Sequence, residues 1–493
     1  MPATYAVAVD WDSNGTFGAG ETISDDVYSI TIDRGFPDYV SRVAQVGRCT
    51  IIVNNASRAY SPQVQSNVLP RRQVRVQMTY GTTVTLFRGF LESIAPDSGT
   101  FGTLRSVIEC VDAIALLQLQ DVRISLQVNQ RGDQVIDTVV NQTYTPPGTA
   151  YDVDVDTFPF AADTWSDDLL YGRKVQRALV MIRDVCQSNW GWFYIRRDGF
   201  AIFENRHHRL LDRTSVATLD NTMLGLKNIK SVQSVFNEIE VTAHPRNVGT
   251  TNEVLWALDT DNTPSLAPNQ TLTLRADFRD PDNKDFRIGG QTLVAPVATT
   301  DYTASDTNGG GGSSLTSNMT VTMTGYSNSA DLVITNVGSQ TLYITLLRIR
   351  GLAVRVYAPP ILRKIDSVSQ TAYQKRTLRI DAILQDDIGV AESQSSYLLG
   401  RYKDPLDEIG GVRFQANENT TLLAYARDIE LGDRVTLTEY QTGTQSFQCF
   451  VQSIRHTIQY PSHEVEWNVE KADAGSFWIL GTSLLGTTTA LAY

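Results

Sequence analysis

The sequence predicts a mainly β, multi-domain protein with a few helices, and three observations carry that prediction. Apolar and β-branched residues alternate with a period of two through most of the chain, between clusters of Gly, Asn, Asp and Pro, which is the pattern of short antiparallel strands. Helical periodicity is clear in only two stretches, near residues 171–189 and 388–402. The chain has 493 residues, and cores stop growing at about 250–300 residues, so roughly three or four domains are expected.

The first strands fall at 5–10, 27–33, 48–54, 73–79, 84–95 and 103–112, dense enough for a barrel or a sandwich. In the last of them Leu104, Ser106, Ile108 and Cys110 share one face and Arg105, Val107, Glu109 and Val111 the other, so both faces are partly covered. From 116 to 165 the signal weakens around a Pro146-Pro147-Gly148 loop, which reads as an insertion or connecting segment. An amphipathic helix beginning near Tyr171 gathers Val175, Ala178, Leu179, Ile182, Val185 and Cys186 on one face and ends at Ser188 or Asn189. Immediately after it, 192–195 and 200–203 flank Arg196-Arg197-Asp198-Gly199, whose Asp-Gly step is a strong hairpin signal.

A strand at 231–243 precedes a Thr-, Asn- and Ser-rich stretch that contains the run Gly309 to Gly312. Strands at 271–278, 319–324, 331–336, 341–348 and 352–357 have the spacing of an immunoglobulin-like β-sandwich, closed by Pro359-Pro360. The chain then gives a strand at 377–384, a helix over 388–402 with Pro405 beyond it, and strands at 411–415, 434–439, 445–460 and 463–470.

Composition narrows the function. The 42 basic and 54 acidic side chains leave a net charge of −12, which repels phosphate backbones and argues against a duplex-gripping protein. Apolar residues at 42% suffice for cores and exclude a disordered chain. Cys49, Cys110, Cys186 and Cys449 are too far apart for a CxxC set, and buried free thiols are expected. The first eight residues lack a basic n-region and no stretch reaches the ~18 apolar residues of a membrane span, so a soluble protein made in the cytoplasm is expected.

The sharpest chemical motif is Asp10-Trp11-Asp12-Ser13-Asn14-Gly15-Thr16, closed by Glu21, which matches a calcium loop residue for residue. Asp10, Asp12, Asn14, Thr16 and Glu21 are thus the candidate metal ligands, because a large hard cation needs alternate oxygens, a Gly at the sharp turn and a closing carboxylate. The competing reading is a hairpin turn in which Asp, Asn and Gly serve backbone geometry, since a strand and not a helix precedes the loop. His207-His208 are expected on opposite faces of a strand, and His456 and His463 near each other across the last hairpin; hydrogen-bonded histidines are preferred to a metal site.

No GxSxG, HExxH or P-loop is present, so no catalytic residue is assigned and a non-enzyme is expected. The carboxylate pairs Asp25-Asp26, Asp167-Asp168 and Asp386-Asp387 read as loop and cap residues. Arg34, Arg71, Arg72, Arg75 and Arg88 lack an aromatic stacking platform and read as salt-bridge partners between subunits. The tail Phe477-Trp478-Ile479-Leu480, with Leu484 and Leu485, is apolar enough to dock on a neighbouring protein or on its own domain.

The order of these features resembles the minor tail and tail-hub proteins of long-tailed phages and prophages. Three stretches carry the resemblance: Val9 to Gly15 leading to Arg34-Gly35 and Ala59-Tyr60-Ser61-Pro62; Asn67 to Val76 running into Leu86 to Ile94; and Leu431 to Thr438 with Ile454 to Ile458 and Glu464 to Val469. The resemblance implies tube-like antiparallel β-barrels, two per subunit, with three subunits closing a ring that meets a six-fold tail tube. On that basis the expected divisions are 1–118, a first tube-like domain; 119–170, a connecting segment; 171–245, the helix-hairpin and the start of a second β-domain; 246–358, the inserted sandwich; 359–472, the rest of the second domain; and 473–493, a docking tail.

The function so implied is a homotrimeric hub at a tail tip or baseplate, part of the virion. Its partners would be the tail tube or distal tail protein, tip or fibre proteins and the tape measure protein, with DNA passing unread and no membrane contact. A carbohydrate-binding adhesin and, behind it, a cell-wall-degrading enzyme are the alternatives. No cofactor other than calcium is expected.

Overall fold

The computed structural model describes residues 3–97, 102–122, 129–158, 176–211, 214–259 and 263–472. The helix expected from near Tyr171 begins at Ala178, after a short strand Gln176–Arg177; Tyr171 itself, the pair Asp167-Asp168 and the docking tail 473–493 lie outside the described residues.

Twelve strands form one sheet. Six come from the first part of the chain: Thr4–Val9, Val27–Gly35, Arg48–Asn54, Gln73–Tyr80, Thr82–Pro96 and Arg105–Val111. Alternation places Cys49, Ile51 and Val53 of one strand, and Val74, Val76 and Met78 of another, fully inside. Antiparallel pairing sets Cys49 opposite Cys110 and Ile51 opposite Ile108. All four cysteines are buried free thiols, as expected.

The other six strands are Ala217–Leu219, Gly225–Lys230, Asp407–Gln415, Arg434–Glu439, Thr444–Gln459 and Ser462–Lys471. The halves meet along one strand pair, Val27–Gly35 against Thr444–Gln459, with Ile32 opposite His456 and Gly35 opposite Ser453. Gly35 fits there for a steric reason: at φ +144°, a Cβ would lie 2.3 Å from the Gln452 carbonyl oxygen and 2.4 Å from the Ser453 Cα. Among the described residues no strand pairing closes either half into a barrel, because each half gives an edge of its sheet to the other.

The sheet curls nonetheless, bringing Tyr5 of its first strand to His463 of the final hairpin. Its concave side holds one continuous core from Ala3 to Val469, shared with helices Ile114–Leu119, Gly132–Thr143 and Ala178–Asn189. The second of these helices occupies the connecting segment that the sequence left without a pattern. The hairpin Trp192–Ile195 and Ala201–Glu204 forms as expected, every residue of both strands buried.

Strand Glu238–Ala243 pairs with Ile361–Ile365 and Thr377–Ala382, and helix Ile388–Tyr402 covers this small sheet through Ala391, Leu398 and Tyr402. Asp387 caps that helix, its carboxylate accepting from the Gly389 and Val390 amides. Between the first two strands the chain builds a sandwich with its own core, from Leu255 to Ala353. One sheet holds Arg246–Ala257, Ser265–Leu266, Gly289–Val294, Tyr302–Ser305 and Leu342–Val356; the other holds Thr271–Asp277, Met319–Gly325 and Ser329–Asn336. The two strands expected at 341–348 and 352–357 are thus one strand. Arg246–Ala257, where no strand was expected within the sandwich, pairs with it from Arg246 opposite Val356 onward.

Candidate functional site

Among the polar clusters that interrupt the apolar interior of the main unit, three lie at the edge strand and where the two halves come together. The first is the loop of residues 10–21, which leaves the edge strand Thr4–Val9 and returns through the Ala8–Thr22 bridge and the Ile23 amide, 2.8 Å from the Val7 carbonyl oxygen. It brings one carboxylate oxygen each from Asp10, Asp12 and Glu21 within 4.8 Å of one another. The Asn14 and Gly15 amides donate to the two oxygens of Asp10 at 3.1 and 2.9 Å, and Gly15 takes the positive φ of +82° that the turn requires.

Asn14 and Thr16 hydrogen-bond within the loop. The Asn14 Oδ1 accepts from the amide and hydroxyl of Thr16 at 2.8 and 2.6 Å, and its Nδ2 donates to Asp12 at 2.8 Å. Of the five candidate ligands the three carboxylates converge, and Asn14 and Thr16 brace the loop.

The second cluster lies where the two halves meet. Arg34, buried, places its Nη2 2.9 Å from the Glu430 Oε1 and its Nη1 3.4 Å from the Ile195 carbonyl oxygen. Glu430 accepts on its other oxygen from the Arg197 amide at 3.1 Å, and its own amide donates to Asp433 at 2.8 Å. The Tyr194 hydroxyl lies 2.9 Å from the Glu204 Oε1 and 3.1 Å from the Leu431 carbonyl oxygen, and Arg209 pairs with Glu204 at 2.8 Å.

Burial pushes the Asp433 carboxyl up to about 6, against the hydrogen bond from the Glu430 amide, with the Glu430 and Glu204 carboxylates adding to the rise. A cavity of about 320 Å³ opens beside these groups, lined among others by Asp152, His208, Glu204 and Asp433. The contacts tie the first half of the sheet to the hairpin, and the hairpin to the second half. Charged groups so buried are kept by pairing, and the pairing works as a fastening.

The third cluster is a histidine pair. His456 Nδ1 lies 3.0 Å from His463 Nε2, and His463 Nδ1 lies 2.7 Å from the Tyr5 hydroxyl. Burial holds His456 well below the usual histidine range, the neighbouring His463 adding to it, and takes His463 down to about 3. With both rings neutral, Tyr5, His463 and His456 form one hydrogen-bonded chain that ties the first strand to the last hairpin. The proximity of His456 and His463 matches the expectation from sequence.

His207 and His208 do not sit on a strand: His208 begins the short helix His208–Leu211, with its Nδ1 2.8 Å from Asp152. The arginine group also divides. Arg34 is used within the chain, and Arg75 and Arg88 stack on Phe17 at 4.4 and 5.8 Å, an aromatic partner the sequence reading did not supply. The fastening residues Tyr194, Glu204, Arg209 and Glu430 carried no signal in sequence.

No family model matches the chain, and no curated protein does. Among solved structures, the tail protein from Neisseria meningitidis MC58 aligns over 96% of this chain and 97% of its own, at 9% identity and a TM-score of 0.50. The fold is that of this tail protein. The 43 kDa tail protein of prophage MuSo2 from Shewanella oneidensis aligns over 95% of this chain and 98% of its own, at 10% identity and a TM-score of 0.49.

Proposed function

We propose that the chain is a structural subunit of a bacteriophage tail tip or baseplate hub, three copies of which close a ring that joins a six-fold tail tube to the tip and surrounds the path of the DNA. The observation that carries this reading is the end-to-end fold shared with the Neisseria tail protein. The division of the main sheet into six strands and six supports it, because three chains then offer six comparable units to a six-fold neighbour.

A net charge of −12 suits a passage through which DNA moves without being held. The tail tube or distal tail protein would sit above the ring, the tape measure protein within it, and tip or fibre proteins beyond the sandwich. No helix among the described residues is long and apolar enough to cross a membrane. The adhesin reading draws on Phe286 of the sandwich, which is 63% exposed; binding of residues 246–358 to a glycan array would favour it.

Antibody labelling of negatively stained virions tests the main proposal. Decoration at the distal end of the tail is expected. Decoration of the capsid, or of nothing on the particle, overturns it.

A further inference from the structure

The acidic loop is not accounted for by a structural role in the tail. Asp10 is 1% exposed and Glu21 8% exposed, yet neither they nor Asp12 form an ion pair among the described residues. Arg75 and Arg88 stack on Phe17, within the same loop, and do not pair with its carboxylates among the described residues. Three carboxylates within 4.8 Å, two of them out of water, repel one another unless a cation lies between them.

The backbone amides do not remove that need, because each carboxylate oxygen has two lone pairs and Asp10 accepts a single amide on each. Glu21 supplies the second, independent sign. Its Oε2 accepts from the Gly18 amide at 2.6 Å, while its Oε1 is buried with no donor among the described residues. A buried carboxylate oxygen without a partner is what an ion-binding site looks like without its ion.

We propose that Asp10, Asp12 and Glu21 bind one calcium ion. The donors are all oxygen, which favours a hard cation over zinc or copper. Mg²⁺ retains several waters in a strict octahedron, and the burial of Asp10 and Glu21 leaves little room for them. The ion clamps the loop at the point where the Asp10 amide also donates to the Gln73 carbonyl oxygen at 2.9 Å. It thereby holds down the edge strand Thr4–Val9, the strand that carries Tyr5 to the histidine pair.

Trp11 stands between two of the ligands, so terbium in the site is sensitised by indole excitation. With the full chain at neutral pH, terbium chloride gives emission that calcium chloride displaces and magnesium chloride does not. Titration calorimetry with calcium chloride gives a single site with a Kd of about 10⁻⁵ to 10⁻³ M. Glu21→Gln weakens binding about tenfold or more, and so does Asp12→Asn, whose exposed position leaves the fold intact.

Calcium raises the melting temperature of the wild-type protein and leaves that of Glu21→Gln unchanged. The proposal is overturned if the wild-type protein shows neither terbium emission nor calcium heat, or if Asp12→Asn binds calcium as tightly as the wild-type protein does.

Discussion

The two halves of the main sheet reach the same number of strands by different routes. The first takes its six from one uninterrupted stretch, Thr4 to Val111. The second collects its six between Ala217 and Lys471, and between Lys230 and Asp407 the chain leaves to build a small sheet and then the sandwich. The difference teaches that sheet continuity depends on which edges meet, not on unbroken sequence. The excursion is tolerated because its way out and its way back are paired strands, 238–242 against 361–365 and then Arg246 against Val356. The halves pair along one strand pair with its buried ion pairs, and are tied a second time by Tyr5 and the histidine pair.

Breaking the fastening should have the largest effect. Glu430→Ala leaves Arg34 charged and buried without its partner, and is expected to cost about 3–5 kcal/mol in urea unfolding followed by far-UV circular dichroism. Replacing both residues with Met recovers much of that loss; a cost under ~1 kcal/mol for Glu430→Ala would mean that the pair does not hold the halves together.

Gly35→Ala comes next, at about 3 kcal/mol in the same assay, since its Cβ would press on the Gln452 and Ser453 backbone of the opposite half. A neutral substitution there would show that the seam can open without loss.

Acidification tests the other tie between the halves. Because both histidines have lowered pKa values when folded, the unfolded chain binds more protons than the folded one below the ordinary value of 6.5. The stability they contribute is present above pH 6.5 and is lost as pH falls toward 3. From pH 7 to pH 6 the two together should lower stability by about 1–1.5 kcal/mol. Comparing wild type with His456→Gln/His463→Gln isolates this loss, and a stability gap that does not change with pH would count against a neutral buried pair.

The smallest effect is expected from the excursion. Replacing 246–356 by a short turn, where the Tyr357 amide already donates to the Pro245 carbonyl oxygen at 3.1 Å, should change the unfolding of the main unit by less than ~1 kcal/mol. Calorimetry should lose one transition and keep the other.

Local chemistry made much of this fold readable. Helix Ile388–Tyr402 is legible to the residue because Asp387 caps it and Pro405 follows it, and the aromatic hairpin because Asp198-Gly199 can turn so tightly. Leu342–Val356 reads as two strands because Gly351 looks like a break; in the structure Leu293, the Gln291 carbonyl oxygen and Leu255 all lie within 3.1 Å of where its Cβ would be. Helix Gly132–Thr143 opens on Gly and carries six β-branched residues, so propensity hides it and burial of Val135, Ile136, Val139 and Val140 decides.

In the candidate site, the carboxylates of Asp10, Asp12 and Glu21 lie together at the spacing of the motif, and Asn14 and Thr16 hydrogen-bond to one another, a contact that spacing does not reveal. The fastening escaped entirely, since nothing local announces that Arg34 meets Glu430 across 396 positions.

In the proposed ring, two six-stranded halves in each of three chains meet a six-fold tube. Native mass measurement of the purified full-length protein at assembly concentrations tests it most directly. A particle of three times the 54.6 kDa chain mass is expected. A strictly monomeric chain under those conditions would contradict it.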